Sequence, residues 1–156
     1  MKFSNFPIHD QAWLALRVGM AALLGGLIGW ERDRAGKRAG IRTHILVAAA
    51  ASLAVGLGDM VVTKAAAGDP TRMMYAVFTG IGFIGGGMIF TQKRERGPFG
   101  ITSAATVLIV AGIGAACGIG APYVAAAVAA LTMVTLLGLP YSESMLRGRF
   151  RRDEEL

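Results

Sequence analysis

Two stretches of the chain place ionisable and hydroxylic side chains where chemistry could be done. Glu31 and Arg32 close one apolar run, and Arg42, Thr43 and His44 open the next. A short basic loop joins the runs, so all five residues can meet at one end of a helical hairpin. A carboxylate among guanidinium groups serves either as an interfacial charge network that pins the hairpin or as a ligand or partner site. His44 alone makes no metal site, because its only histidine companion, His9, falls at the opposite end of the first run. Thr102, Ser103 and Thr106 form the second group. On a helix Thr102 and Thr106 share a face, as do Ser103 and Thr106, and their hydroxyls can bond backbone carbonyls or a neighbouring helix, with Thr79 a candidate partner. Neither stretch holds a Cys–His or Ser–His–Asp set at comparable depth, or an HExxH spacing. An enzyme is therefore not expected, nor a cofactor or a resident metal.

Charges inside apolar runs are costly and are functional candidates by default. Arg17 lies within the first run and Asp59 near the end of the second. Antiparallel neighbours would bring them to similar depth, which predicts an ion pair; the alternative is that both reach separately to the interface. Asp69-Pro70-Thr71-Arg72 reads as a helix start, with Asp69 accepting from free backbone N–H groups and Pro70 suited to the first helical position.

The elements that must position these residues are long and apolar. Hydrophobic residues make up 54% of the 156, above the roughly 45–50% of soluble domains even with Gly left out of the count. They fall in blocks near the roughly 20 residues that a membrane-spanning helix needs. The expected architecture is all-α and polytopic, with about five spans: Ala12 to Trp30, Thr43 to Val62, Thr71 to Phe90, Ile101 to Ile119, and Tyr123 to Leu139. Only Gly120, Ala121 and Pro122 separate the last two, which predicts a tight antiparallel hairpin. Residues 1–140 then form the membrane domain and 141–156 a short polar tail. Lone Cys117, inside an apolar block, reads as a packed free thiol.

Orientation follows from the basic residues. Arg32, Arg34, Lys37, Arg38 and Arg42, then Lys93, Arg94 and Arg96, then Arg147, Arg149, Arg151 and Arg152 fall on one side of a five-span chain. Lys2, Lys64 and Arg72 fall on the other. Twelve against three places the carboxyl end in the cytoplasm and the amino terminus outside. The net charge of +6 is thus a matter of membrane orientation, with no nucleic-acid partner expected. The arginines of the tail suit anionic membrane lipids.

Glycine supplies the glue. Gly25 and Gly29, Gly82 and Gly86, and Gly114 and Gly118 are small-xxx-small pairs. Gly26 extends the first into a stripe with Ala15, Gly19 and Ala22. Helices in lipid associate largely through such close backbone contact, within one bundle or between two copies. Gly80-Ile81-Gly82-Phe83-Ile84-Gly85 matches a dinucleotide fingerprint by letters, but it lacks the preceding strand and the acidic residue about 20 positions on. It reads as a packing surface or, with Gly85-Gly86-Gly87, as a locally broken helix.

With these residues in view, the chain resembles the MgtC/SapB family. Gly26-Leu27-Ile28-Gly29-Trp30-Glu31-Arg32 with Ala39-Gly40-Ile41-Arg42-Thr43-His44 resembles its first signature. Asp69-Pro70-Thr71-Arg72 with Thr79-Gly80-Ile81-Gly82-Phe83-Ile84-Gly85-Gly86-Gly87 resembles the second. Gly100-Ile101-Thr102-Ser103-Ala104-Ala105-Thr106 resembles the third. Family members often carry Gln where this chain has Ala76 and Trp where it has Leu108, and MgtC proper has a soluble C-terminal domain, so the chain looks like a short SapB-like member. The resemblance implies a multi-pass protein of the bacterial cytoplasmic membrane, linked to acclimation to magnesium limitation and to survival inside host cells. It implies a regulator or accessory protein, in some cases of ATP synthase, rather than a pump. It marks Glu31, Arg32, Arg42, Thr43, His44, Asp69, Arg72, Gly82, Gly85, Thr102 and Ser103 as candidate site residues.

Two functions therefore compete. The first is an accessory protein that binds another membrane protein or a second copy of itself. The second is a small oligomeric ion transporter or channel. Mg²⁺ prefers oxygen ligands, and one chain offers few carboxylates within its spans, but two or more subunits could assemble a site that one chain lacks.

Overall fold

A computed structural model describes residues 6–65, 68–69, 71–90 and 100–153, with side chains described up to residue 138 in the last stretch. It contains α1 (Ile8–Arg34), α2 (Ile41–Ala65), α3 (Arg72–Phe90), α4 (Ile101–Gly118) and α5 (Pro122–Asp153). Every regular element among the described residues is helical. The first four helices are long and apolar enough to cross a membrane, and α5 adds a shorter apolar stretch, Pro122–Gly138. Large apolar side chains point outward from the bundle, with Leu23 77%, Phe83 86% and Tyr123 89% exposed. Water would not tolerate such a surface, and hydrocarbon does. The chain is a polytopic, all-helical membrane protein.

α1, α2 and α5 outrun the expected spans, while α3 and α4 match theirs to within one residue. α1 extends beyond Ala12 and Trp30 at both ends, since a helix continues through polar residues once it leaves the hydrocarbon. The backbone of the expected tail likewise continues α5 to Asp153, while the side chains of Arg147, Arg149, Arg151 and Arg152 lie outside the described residues. So do Lys2, Pro70, Lys93, Arg94 and Arg96.

Two turns set the antiparallel order. After α4, Gly120 takes φ 85°, and its N–H donates to the Cys117 carbonyl at 2.9 Å while that of Ala121 reaches Ala116 at 2.8 Å. These are the paired bonds of a Schellman ending, with glycine in the left-handed position that a side chain would strain. The same pair closes α1, where Gly36 bonds Asp33 at 3.0 Å and Lys37 bonds Arg32 at 2.9 Å.

α4 is the central helix and touches all four others, whereas α3 touches only α4 and, more briefly, α2. The core of α1, α2 and α4 is closed by glycine. A Cβ on Gly25 would stand 2.6 Å from the His44 carbonyl and 2.8 Å from the Ala48 methyl. On Gly29 it would stand 2.6 Å from the Ile41 Cα, and on Gly118 2.5 Å from the Ser52 carbonyl. Gly114 is pressed equally close to Ala48, and Gly26 contacts Ile45. Ala48 thus lies between Gly25 and Gly114, which sets α2 parallel to α4 and antiparallel to α1. Ala21, Ile28, Val110, Ile113 and Cys117 fill the same core.

α3 departs from expectation twice. Its helix is unbroken from Arg72 to Phe90, so the glycine run does not interrupt it. Gly82 and Gly86, expected to pack, have no atom within 4 Å of an added Cβ. Gly85 alone faces α4, 3.7 Å from Ala104. The smooth face of α3 is turned away from the bundle. Gly19 of α1 is also open, so the expected stripe of α1 packs only over its second half.

Candidate functional site

The end of α1, the following turn and the start of α2 bring Glu31, Arg32 and His44 together. All three are buried, His44 completely. Arg32 clasps the carboxylate of its neighbour Glu31 with two bonds, one from Nε to Oε2 and one from Nη2 to Oε1 at 2.7 Å. A bidentate pair of this kind satisfies both charges where water is scarce. Arg42 is not the partner; it is exposed on the outer side of α2, next to half-buried Thr43.

His44 is fixed by its own turn. Its Nδ1 is 2.8 Å from the Gly40 carbonyl, which can only accept, so Nδ1 is the donor. Its Nε2 is buried and has no hydrogen-bond partner, and neither has the Ser52 hydroxyl two turns further along α2. Orphaned buried polar atoms are uncommon in folded proteins. Asp33 completes the corner, its Oδ2 accepting from the Ile41 N–H at 2.9 Å and so capping α2 from the end of α1. The Asp33 carboxylate occupies the place where a Cβ of residue 40 would be, so any larger residue there would displace the cap. Asp33 and Gly40 were not singled out from the sequence. The legible signal was the Ala39-Gly40 pair just before Ile41.

Ser103 and Thr106, both buried on α4, lie at the same end of the bundle. With Gly25, Ala48 and Gly114 level, seven residues toward this end bring Arg32, Ile41 and Val107 to one depth. Thr106 donates to the Ser103 carbonyl of its own helix at 2.8 Å. Thr79, expected as a cross-helix partner, is exposed on α3, and Thr102 is exposed as well.

The opposite end holds the rest. Asp69 accepts from the Thr71 hydroxyl at 2.6 Å and from the Thr71 N–H at 2.8 Å, just before α3. That hydroxyl, and then the backbone N–H, hold its carboxyl below the usual carboxylate range. Arg72 is exposed beside it. Asp69 and Arg72 are thus a bundle length away from Glu31 and His44, and the structure does not assemble them into one site.

The expected ion pair between Arg17 and Asp59 is not formed. Both line one cavity, so the depth was right, but Arg17 Nη1 donates instead to the Gly118 carbonyl at 2.9 Å. The physical reason is the end of α4. Its last carbonyls lack intrahelical donors and carry the negative end of the helix dipole, which attracts a cation.

The sequence model of the MgtC family matches residues 18–145, a stretch that takes in all of the Glu31, Arg32 and His44 cluster. The chain belongs to the MgtC family. It is 37% identical over 110 residues to the "Putative magnesium transporter YhiD" of Escherichia coli (strain K12), covering 67% of this chain and 50% of that protein. It is 42% identical over 102 residues to protein MgtC of Brucella abortus (strain 2308), covering 64% of this chain and 40% of that one. Protein SrpB of Synechococcus elongatus is 36% identical over 143 residues, covering 85% of this chain and 78% of SrpB. The chain thus spans about half the length of its YhiD and MgtC relatives. No solved structure matches.

Proposed function

We propose that this MgtC-family chain is an accessory or regulatory protein of the bacterial cytoplasmic membrane, acting in magnesium homeostasis by binding another membrane protein. The observation that carries this reading is the unequal use of its glycines. Gly25 and Gly29 of α1 and Gly114 and Gly118 of α4 are consumed in closing the core, where an added Cβ would stand within 3 Å of α2. At Gly80, Gly82 and Gly86 of α3 an added Cβ would meet no atom within 4 Å, although α3 is a full-length apolar helix. In a bilayer such a face associates with another smooth helix through close backbone contact. The buried Glu31–Arg32 pair and His44 then hold the cytoplasmic hairpin in one shape for that contact. No catalytic role is proposed.

Co-purification from native membranes tests this. A stoichiometric partner, lost on Gly82→Leu or Gly86→Leu while the chain stays folded, supports the proposal. Recovery of the chain alone, unaffected by either substitution, refutes it.

A second reading, a small oligomeric ion transporter or channel, is favoured by the transporter name of the YhiD relative and by the unpartnered His44 Nε2 in a buried charged cluster. Magnesium would then be cargo rather than a resident ion. Flux into proteoliposomes that depends on Glu31 would favour this reading over the first.

A further inference from the structure

Arg17 stands between two cavities at the outer end of the bundle. One, of about 610 Å³, opens between the start of α1 and the last turns of α2 and carries Asp10, Arg17, Asp59 and Lys64 on its wall. The other, of about 1220 Å³, is an apolar groove along α1 that includes Leu16, Gly19, Leu23 and Cys117. Trp13 and Arg17 belong to both, so a polar space and an apolar one meet at these two side chains.

Arg17 and Asp59 do not settle each other's charge. A guanidinium has five N–H donors, and the one bond found for Arg17 goes to a neutral carbonyl, which orients the charge without cancelling it. Among the described residues no carboxylate lies within ion-pair distance of Arg17. Asp59, half-buried on the same cavity, receives no cation from it. Unpaired charge at the edge of a bilayer is costly. Opposite charges on one cavity wall, held too far apart to join, complement a ligand that carries both signs.

We propose that these two cavities together hold one phospholipid with a primary ammonium headgroup, phosphatidylethanolamine, from the outer leaflet. Its phosphate lies on the Arg17 guanidinium, whose fork suits phosphate oxygens. Its ammonium lies toward Asp59 and Asp10, and one acyl chain runs along the groove over Gly19. Depth agrees, because Arg17 sits level with the end of α4, where headgroups begin. The groove also agrees, because a Cβ on Gly19 would meet no atom within 4 Å. A choline headgroup has no N–H to donate, and a glycerol headgroup brings no cation to Asp59.

Quenching of Trp13 fluorescence by brominated lipid tests this on the full chain in nanodiscs. Trp30→Phe leaves Trp13 as the only indole, since the chain has two. Brominated phosphatidylethanolamine is expected to half-quench at a mole fraction about tenfold lower than brominated phosphatidylcholine, as charge-assisted hydrogen bonds of this kind imply. Arg17→Gln and Gly19→Leu each remove the difference, and Asp59→Asn lowers the preference for phosphatidylethanolamine to that for phosphatidylglycerol. Gly19→Leu enters the groove at a position where a Cβ meets no atom within 4 Å, so it decides the matter even where Arg17→Gln fails to fold. Equal quenching by all three lipids, a preference for phosphatidylglycerol, or selectivity that survives Gly19→Leu overturns the proposal.

Discussion

The guanidinium of Arg17 in α1 donates to the carbonyl of Gly118 in the last turn of α4, across 2.9 Å. The Schellman bonds of that turn use the carbonyls of Ala116 and Cys117, which leaves Gly118 to be met from outside the helix. Arg17 therefore ties two core helices together at the end opposite the Glu31–Arg32 pair. Replacing it with Met removes a charged donor from a helix terminus and is expected to cost about 1–2 kcal/mol. Arg17→Lys keeps the charge and should recover part of this. Unfolding in mild detergent, followed by tryptophan fluorescence, reads the order wild type, Lys, Met.

Glycines that look alike in the sequence should behave differently. Gly25→Ala drives a methyl to within 2.6 Å of the His44 carbonyl and 2.8 Å of the Ala48 side chain. Backbone cannot step aside as a side chain does, so a loss of roughly 1–3 kcal/mol is expected. Gly82→Ala meets nothing and gains helix propensity, so it should be neutral or stabilising by up to about 1 kcal/mol. Thermal unfolding of the two variants side by side checks the contrast, and equal losses would contradict the packing described.

The Glu31–Arg32 clasp should respond asymmetrically. Glu31→Ala strands a guanidinium that is only 4% exposed, at a cost of roughly 3–5 kcal/mol. The double variant Glu31→Leu with Arg32→Met removes both charges from the site and should regain most of that stability. Comparing the single and double variants by chemical unfolding separates the worth of the pair from the cost of an orphaned charge.

Much of this fold was legible because its signals are local. Block length and hydropathy marked the helices, Gly120-Ala121-Pro122 marked the α4–α5 hairpin, and the Glu31 and His44 stretches met as spacing required. What escaped was azimuth, the direction each helix face takes within the bundle. Gly82 and Gly114 sit in identical small-xxx-small patterns, yet one faces outward and the other presses on Ala48. Arg17 and Asp59 came to the same cavity, but a one-dimensional reading could not see that the end of α4 also arrives there and supplies a competing acceptor. Asp33 was hidden for a similar reason, since its capping bond to Ile41 depends on the path of the intervening turn.

Asp69 offers a test by pH. The Thr71 hydroxyl, followed by its backbone N–H, lowers the folded-state pKa of this carboxyl. A depressed acid contributes stability above its unfolded pKa, and that contribution is lost as pH falls through the folded value. The Thr71 amide should therefore exchange with deuterium faster, relative to its intrinsic rate, once the pH drops below the ordinary carboxylate range. Asp69→Ala should show the faster relative exchange throughout and no such pH step. A step that persists in the variant would assign the titration to another group.

Sidedness can be read with the protein's own cysteine as an internal control. Cys117 is fully buried and should resist an impermeant maleimide on either side of the membrane. Lys37→Cys lies in the basic turn after α1, and Ala65→Cys lies at the far end of α2; both positions are exposed. If the basic ends face the cytoplasm, as the charge asymmetry predicts, intact cells should label Ala65→Cys and not Lys37→Cys. Inverted membrane vesicles should reverse the pattern. Labelling of Lys37→Cys in intact cells would turn the molecule over and place the Glu31–Arg32 cluster on the outer face, away from any cytoplasmic partner.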